Sequence, residues 1–344
     1  MKNLLILVAL GGSINSFANT PIDSAQFYYS KGLEEKAAKH YLTASQMFER
    51  ATSINSSFVD AWLENGYVNL EMHKTDQAKA NFTQVYTLQP SNSTSIKELA
   101  NLYFDYRQWD KAIEFAQKCT DCANSDRIIG MSQYEKEDYG RAEKFLLKAL
   151  AKSPADAQVQ YTLARTYIEM ELETKATPYF EKAVSLAPEK NAWAYELGLL
   201  YFNNNDFKNS VKAFESAAAN GYVQSNDFNE NYGYSLLYSG NYAKGEEKLM
   251  ALYQRKPGDK TIIRDLAQVL YSQHQFNRSL DYCQKLLEMD PKDAKALYQA
   301  GLDFQKMGQK DKGMGMCDEA IKWDPSLESM RTKKMDMGNG IGAL

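Results

Sequence analysis

Two cysteines, Cys119 and Cys122, form the sharpest chemical motif of the sequence, with Thr120 and Asp121 between them. Residues three apart on a helix have Cα atoms about 5 Å apart, which lies within the range of a disulfide. In redox enzymes the reactive cysteine lies at the N-terminus of a helix, whereas this pair follows a predicted helix. A zinc site would need two further ligands. The motif predicts a structural disulfide or two free thiols, and a redox factor is the least favoured alternative.

Methionine is the second potential ligand, because many of the 13 methionines lie beyond Ala300. These are Met307, Met314, Met316, Met330, Met335 and Met337. Thioether sulfur is a soft ligand that suits copper(I). However, no histidine lies among these residues, and methionine also fills irregular gaps in packed cores. We therefore predict that they are packing residues and that the chain has no metal site.

Catalytic and nucleic-acid-binding functions find no support in the sequence. It contains no G-x-S-x-G, no H-E-x-x-H and no glycine-rich phosphate loop. Its 40 Lys and Arg residues are outnumbered by 44 Asp and Glu residues, giving a net charge of −4. Nucleic-acid binders need an excess of basic side chains to displace phosphate counterions. We expect neither an enzyme nor a nucleic-acid binder, and no cofactor.

The secondary structure of the chain is predicted most clearly from residues 59–90, where small and apolar residues recur every three or four positions. The first run is Trp62, Asn65, Gly66 and Asn69, and the second is Ala78, Phe82 and Val85. Two short amphipathic helices follow from this spacing. Gly66 and Ala78 would let these helices cross closely, and Pro90 would end the second.

The same two small residues recur along the chain in nine repeats, at steps of 34 residues with one step of 30 and one of 35. We call the first set the first small column: Gly32, Gly66, Ala100, Gly130, Ala164, Gly198, Gly233, Ala267 and Gly301. The second small column is Ala44, Ala78, Ala112, Ala142, Ala176, Ser210, Gly245, Ser279 and Gly313. In period and helix-turn-helix pattern, residues 25–327 resemble the tetratricopeptide repeat family. The resemblance implies an all-α, right-handed superhelical solenoid.

The resemblance further implies a concave groove that binds a protein or peptide and is lined by the inner sides of the first helices. Residues flanking the first small column, and others further along the same helices, are the candidates: Tyr67, Lys97, Asn101, Arg127, Tyr134, Tyr161, Arg165, Tyr195, Tyr234 and Arg264. Tyrosine suits such a groove because it supplies a rigid contact area with a polar end. The alternative is that these tyrosines pack the interior.

Two features bear on the ligand of this groove. Lys97 and Asn101 resemble half of the clamp by which some family members hold a peptide carboxylate, although Ile128 and Thr162 replace the other half. We expect the groove cations to attract an acidic segment, unless they pair with acids of the same groove such as Glu98. A carbohydrate-binding or transport accessory protein, with sugars stacked on the tyrosines, is the alternative function.

The N-terminal residues predict export. Residues 1–18 combine a lysine, an apolar run and small residues before a cleavage position, the pattern of a signal peptide. We expect cleavage before Asn19, a linker at 19–24, the repeats at 25–327, and a capping segment with a flexible tail at 328–344. No later stretch is long and apolar enough to span a membrane. These features favour an exported scaffold, periplasmic or secreted, within a bacterial envelope or secretion assembly.

Overall fold

The computed structural model describes residues 21–330, and within them the protein is all-α, as predicted. This range holds eighteen α-helices and one 3₁₀ turn, Pro325–Leu327, and no β-strand. No helix in it is long and apolar enough to cross a bilayer. The predicted signal peptide at 1–18, the start of the linker and residues 331–344 of the predicted capping segment lie outside the described residues.

The helices form nine consecutive pairs, one for each predicted repeat, and the two helices of a pair contact each other extensively. The first helices are α1 (Pro21–Ala37), α3 (Val59–Glu71), α5 (Ser93–Asp105), α7 (Ser125–Glu135), α9 (Ala157–Glu169), α11 (Asn191–Asn203), α13 (Asn226–Tyr238), α15 (Thr261–Ser272) and α17 (Ala294–Lys306). The second helices are α2 (Tyr41–Ile54), α4 (Thr75–Leu88), α6 (Trp109–Lys118), α8 (Tyr139–Lys152), α10 (Glu173–Leu186), α12 (Phe207–Ala219), α14 (Tyr242–Tyr253), α16 (Phe276–Met289) and α18 (Lys310–Trp323).

The chain divides after Ala155 into two compact units. The first unit contains α1 to α8, and one of its core clusters joins Phe82 of α4 to Leu99 of α5 and Ile128 of α7. The second unit contains α9 to α18, and one of its clusters joins Phe214 of α12 to Phe228 of α13. In both units the core is therefore made where one helix pair meets the next.

The first small column allows the two helices of a pair to approach closely, as the sequence predicted. A methyl group added at Gly66 would lie 2.6 Å from Cε1 of Phe82, and one added at Gly198 would lie 2.8 Å from Cε1 of Phe214. Both phenylalanines are fully buried. The glycines therefore provide the space that the large second-helix side chains fill.

The second small column contacts the backbone of the first helix directly. A methyl group added at Gly245 would lie 2.9 Å from the carbonyl oxygen of Gly233. In two other pairs a serine uses this proximity for a hydrogen bond. Ser210 Oγ donates to the carbonyl of Gly198 at 2.8 Å, and Ser279 Oγ donates to that of Ala267 at 2.8 Å. A buried hydroxyl at this position is thus satisfied by the neighbouring helix.

The turn inside each pair is closed by one residue with positive φ, seven positions after the first small column. These residues are Lys39, His73, Arg107, Glu137, Glu171, Asn205, Gly240, His274 and Gly308. Around His73 the amide of Lys74 donates to the carbonyl of Asn69 at 2.8 Å, and the amide of His73 donates to that of Leu70 at 2.9 Å. This is the Schellman pattern, which ends a helix with a left-handed residue.

Candidate functional site

The candidate residues lie on the partly exposed side of each first helix, and we call this side the first-helix face. On α3, for example, Leu63, Glu64 and Tyr67 are half-buried, whereas Asn65 and Gly66 are buried. In the first unit this face holds exposed Lys97 and half-buried Tyr67, Asn101, Arg127 and Tyr134. In the second unit it holds half-buried Tyr161, Arg165, Tyr195, Tyr234 and Arg264.

Tyr67 links the core of the first unit to its first-helix face. Its ring packs edge-on against Phe82, with centroids 5.4 Å apart, and its hydroxyl lies 3.4 Å from the carboxylate of Glu98 in the next pair. Burial, together with the negative charges of Glu98 and Glu64, raises the pKa of Tyr67 to about 12. Tyr67 therefore remains neutral and can donate to Glu98 at physiological pH.

The neighbouring candidates of the first unit have different surroundings. Lys97 forms no ion pair with any residue in the described part of the chain. Asn101 accepts a hydrogen bond at Oδ1 from Asn124 Nδ2 at 2.9 Å, so half of its carboxamide is already used. Arg127 acts electrostatically on Asp105: burial raises the pKa of that carboxyl, and the guanidinium partly offsets the rise. The Tyr134 ring lies 6.0 Å from that of Tyr139.

Tyr161 and Arg165 of α9 meet on one carboxylate of α11. The Tyr161 hydroxyl donates to Glu196 Oε1 at 3.0 Å, and Arg165 Nη1 donates to Glu196 Oε2 at 3.1 Å. Arg165 Nη2 also donates a hydrogen bond to Glu169 Oε1 at 3.2 Å. The Tyr161 ring stacks on Trp193, with centroids 4.4 Å apart. Burial and the charge of Glu196 raise the pKa of Tyr161 to about 12.

Tyr195 and Tyr234 lie on the next two first helices. The Tyr195 ring packs against Phe214 of its own pair, with centroids 5.6 Å apart, and stacks on Tyr222 at 4.6 Å. The Tyr234 hydroxyl donates to Asp265 Oδ2 of the next pair at 2.8 Å. Burial, then this hydrogen bond, raises the pKa of Tyr234.

Arg264 is held by a carboxylate as well. It donates through Nη1 and Nη2 to the two oxygens of Asp293, at 3.2 and 2.9 Å. Asp293 also accepts from the backbone amide of Ala296 and so caps α17. Burial opposes ionisation of this carboxyl, yet the hydrogen bonds from Arg264 and Ala296 leave its pKa below the usual value. The charges of Arg165 and Arg264 are thus shared with acids, which was the alternative that the sequence had left open.

An acidic column completes the first-helix face, and sequence reasoning missed it as a group. Glu64, Glu98, Glu196 and Asp265 each lie two residues before the first small column. Lys36 pairs with the first of these acids, and tyrosines with the other three, always from the preceding helix pair. The recurrence of an acid at this position was the signal that could have revealed it. The column holds consecutive first helices together along the predicted groove.

The cysteines lie apart from this face. Cys119 and Cys122 follow α6, and the structure joins them in a disulfide with Cα atoms 5.5 Å apart. Cys283 and Cys317 are buried thiols that take no part in the disulfide, and burial raises the pKa of Cys283. Met314 and Met330 are exposed, while Met335 and Met337 lie outside the described residues. Residues 21–330 hold no group of three or more His, Cys, Asp or Glu able to bind a metal ion.

Comparison with known proteins places these repeats in a family. Residues 157–190 match one tetratricopeptide repeat model, and residues 195–260 and 231–294 match another. Anaphase-promoting complex subunit 3 of Schizosaccharomyces pombe is 24% identical over 46% of this chain and 24% of its own length. The peroxisomal targeting signal receptor of Komagataella phaffii is 28% identical over 56% of this chain and 34% of its own length.

Among solved structures, pilF of Pseudomonas aeruginosa is 21% identical, with a TM-score of 0.45, and the match covers 58% of this chain and 93% of that one. The chain matches less than two thirds of the two relatives named above: 24% of the anaphase-promoting complex subunit and 34% of the peroxisomal receptor. From the family matches, and from the nine helix pairs with their two small columns, the chain is a tetratricopeptide repeat protein.

Proposed function

We propose that this protein is an adaptor that binds a segment of another protein along the first-helix faces of its helix pairs. The observation that carries the proposal is the set of bridges from Tyr67 to Glu98, Tyr161 to Glu196 and Tyr234 to Asp265. Each bridge fixes a half-buried ring before any ligand arrives. Rings that are held in advance lose little conformational entropy on binding, which favours affinity.

The family relatives support a role in protein contacts. One is by name a subunit of the anaphase-promoting complex, and another is a receptor for a peroxisomal targeting signal. Because the matched parts are only 24% and 34% of those proteins, the support concerns the use of such repeats as binding surfaces. The partner, in this proposal, is a protein segment with apolar groups for the tyrosines and an acidic group for Lys97.

We also propose that the adaptor is exported and acts in the periplasm or outside the cell, within an envelope or secretion assembly. The signal-like pattern of residues 1–18 supports this setting. The bond between Cys119 and Cys122 is in keeping with it, since structural disulfides persist in oxidising compartments. N-terminal sequencing of protein from the native host should begin at Asn19, and retention of Met1 would contradict export.

Site-specific photo-crosslinking tests the binding face. A benzoylphenylalanine residue is placed at Lys97 or Leu199, which lie on first-helix faces, or at Lys144 or Lys208, which are exposed on second helices. We expect one partner protein to crosslink from the first two positions and not from the others. Crosslinks of equal yield from all four positions, or only from the second helices, would refute the proposal.

A charge variant adds a quantitative test with the crosslinked partner. Lys97→Ala should slow association and reduce its salt dependence, because an exposed charge at an interface acts mainly on the association rate. Lys144→Ala is the matched control and should leave both quantities unchanged. If the two variants behave alike, Lys97 takes no part in binding.

A further inference from the structure

An open cavity of about 340 Å³ lies between α2, α3 and α4 of the first unit. It is lined by Glu49, Thr52, Ser53, Trp62, Asn65, Asn69, Gln77, Ala80 and Asn81. Ligand pockets in proteins have volumes of roughly 300–1,000 Å³, so this cavity is large enough for a small ligand. On α3 its lining residues lie on a different side from Tyr67, which belongs to the first-helix face.

The cavity exists because asparagines occupy positions that aromatic side chains fill in other repeats. Asn69 lies three residues after the first small column, and Asn81 three residues after the second. In the third repeat these positions hold Tyr103 and Phe115, whose rings pack with centroids 5.3 Å apart. In the fifth repeat they hold Tyr167 and Tyr179, at 5.6 Å. Two short polar side chains in place of two rings leave that volume open.

The asparagines keep hydrogen-bonding capacity that the described chain does not use. Asn81 is only 6% exposed, and its carboxamide makes no hydrogen bond to any of residues 21–330. Asn65 accepts at Oδ1 from Ser45 at 2.8 Å and from Asn69 at 3.1 Å, and its Nδ2 finds no acceptor in the same range. Among residues 21–330 none of these unused carboxamide atoms is sealed off from solvent, so they open into the cavity, where a ligand can supply donors and acceptors for them.

The rest of the lining limits the chemistry of that ligand. The Trp62 indole donates to the carbonyl of Ser56 at 2.9 Å and therefore stands as a fixed wall. None of the nine lining residues is basic, so an anionic ligand would meet no counter-charge, and Glu49 would repel it. The carboxamides and hydroxyls offer donors and acceptors side by side. A neutral ligand with many hydroxyl groups matches both properties.

We propose that this cavity binds a saccharide, with hydroxyl groups paired to Asn65, Asn69 and Asn81 and an apolar ring face against Trp62. Sugar hydroxyls both donate and accept, which the carboxamides require, and the flat carbon face of the ring suits an indole wall. A volume near the lower end of the usual range fits one or two sugar units. This activity is separate from the proposed adaptor function, because it uses a different side of the helix pair.

Saturation-transfer NMR on the full chain tests the site. Glucose, galactose, mannose, N-acetylglucosamine and maltose serve as probes at ~10 mM, which populates a site with a millimolar Kd. We expect transfer from the protein to at least one of them, with a change in tryptophan fluorescence. Asn81→Ala should weaken that binding at least about tenfold, since it removes the unpaired carboxamide. Gln84→Ala, on the same helix but outside the lining, should bind as the unaltered protein does.

A filled cavity provides the decisive variant. Asn69→Tyr with Asn81→Phe installs the aromatic pair of the third repeat, and we expect it to abolish sugar binding without lowering the thermal stability of the protein. The proposal is wrong if no probe shows transfer, or if transfer persists in the filled variant. It is equally wrong if N-acetylglycinamide binds in place of every sugar, because the site would then recognise peptide groups.

Discussion

The hydroxyl of Tyr161 donates to the carboxylate of Glu196 at 3.0 Å and so joins the first helices of two consecutive pairs. The same carboxylate accepts from Arg165 at 3.1 Å. One acid therefore fixes an aromatic ring and a cation of the proposed binding face, and it also connects neighbouring repeats. Stability and recognition share these residues, so variants must separate the two effects.

Tyr161→Phe removes the hydrogen bond and keeps the ring that stacks on Trp193. We expect the free energy of unfolding to fall by about 1 kcal/mol, the usual value for one hydrogen bond. Tyr179→Phe is the matched control, because its ring packs on Tyr167 while its hydroxyl has no hydrogen bond among residues 21–330. Urea unfolding followed by circular dichroism measures both, and equal losses would show that the bridge contributes nothing.

Gly66→Ala tests the close approach of α3 and α4. Its methyl group would lie 2.6 Å from Phe82, so a buried ring must move, and we expect a loss of about 1–3 kcal/mol. Gly140→Ala is the control, since nothing lies within 4 Å of the added methyl group and alanine favours the helix. We expect this second variant to be as stable as the parent or more so. A harmless Gly66→Ala would contradict the packing described.

The helix pairs were predictable from the sequence because their packing depends on residue size at fixed positions. Within one repeat Gly66 is small where the first helix is approached closely and Phe82 is large where the second helix fills that space, and the pattern recurs about every 34 residues. The bridge from Tyr161 to Glu196 was not predictable, because it depends on how one pair is placed against the next. The cavity was predictable only in part. The sequence placed Asn65 and Asn69 on the packed side of their helix, where both are buried, but it could not show which of their polar atoms lack a hydrogen bond.

The left-handed turn residues also escaped prediction, for a different reason. Glycine normally marks positive φ, yet this position holds glycine only at Gly240 and Gly308. At the other repeats the position holds residues with a side chain, such as Arg107 and Glu137, whose backbone φ angles are 55° and 60°. This conformation is imposed by the hydrogen bonds at the end of the first helix and by the start of the second helix. The residue type at this position therefore does not reveal the positive φ.

Glu137→Gly should therefore stabilise the protein. Its φ of 60° disfavours an L-residue by roughly 1–2 kcal/mol, and glycine has no such penalty, although its flexibility in the unfolded chain offsets part of the gain. We expect a net increase of about 0.5–1 kcal/mol in the free energy of unfolding. Lys144→Gly, in the middle of α8 of the same pair, should instead destabilise by about 1 kcal/mol. Urea titrations that gave the same sign for both variants would refute the assignment of the turn.

Asp303 predicts an unusual dependence of stability on pH. This carboxyl of α17 is fully buried, with its Oδ2 2.8 Å from Ser279 Oγ and 3.8 Å from the Cys283 sulfur. Burial raises the pKa of Asp303 to about 7, and hydrogen bonding with Ser279 limits the rise. The folded protein therefore keeps this carboxyl protonated at a pH where the unfolded chain has released the proton.

The direction of the effect follows from this difference in bound protons. Below about pH 4 this carboxyl is protonated in both the folded and the unfolded state, and the contribution of Asp303 to the free energy of unfolding is fully present. Between about pH 4 and 7 that contribution declines by up to about 1.4 kcal/mol per pH unit, and above that range it is lost. Urea unfolding at several pH values measures the slope. Asp303→Asn should remove this decline, because a carboxamide does not ionise. The exposed Asp311→Asn control should keep it, and a decline that persisted in Asp303→Asn would assign it to another group.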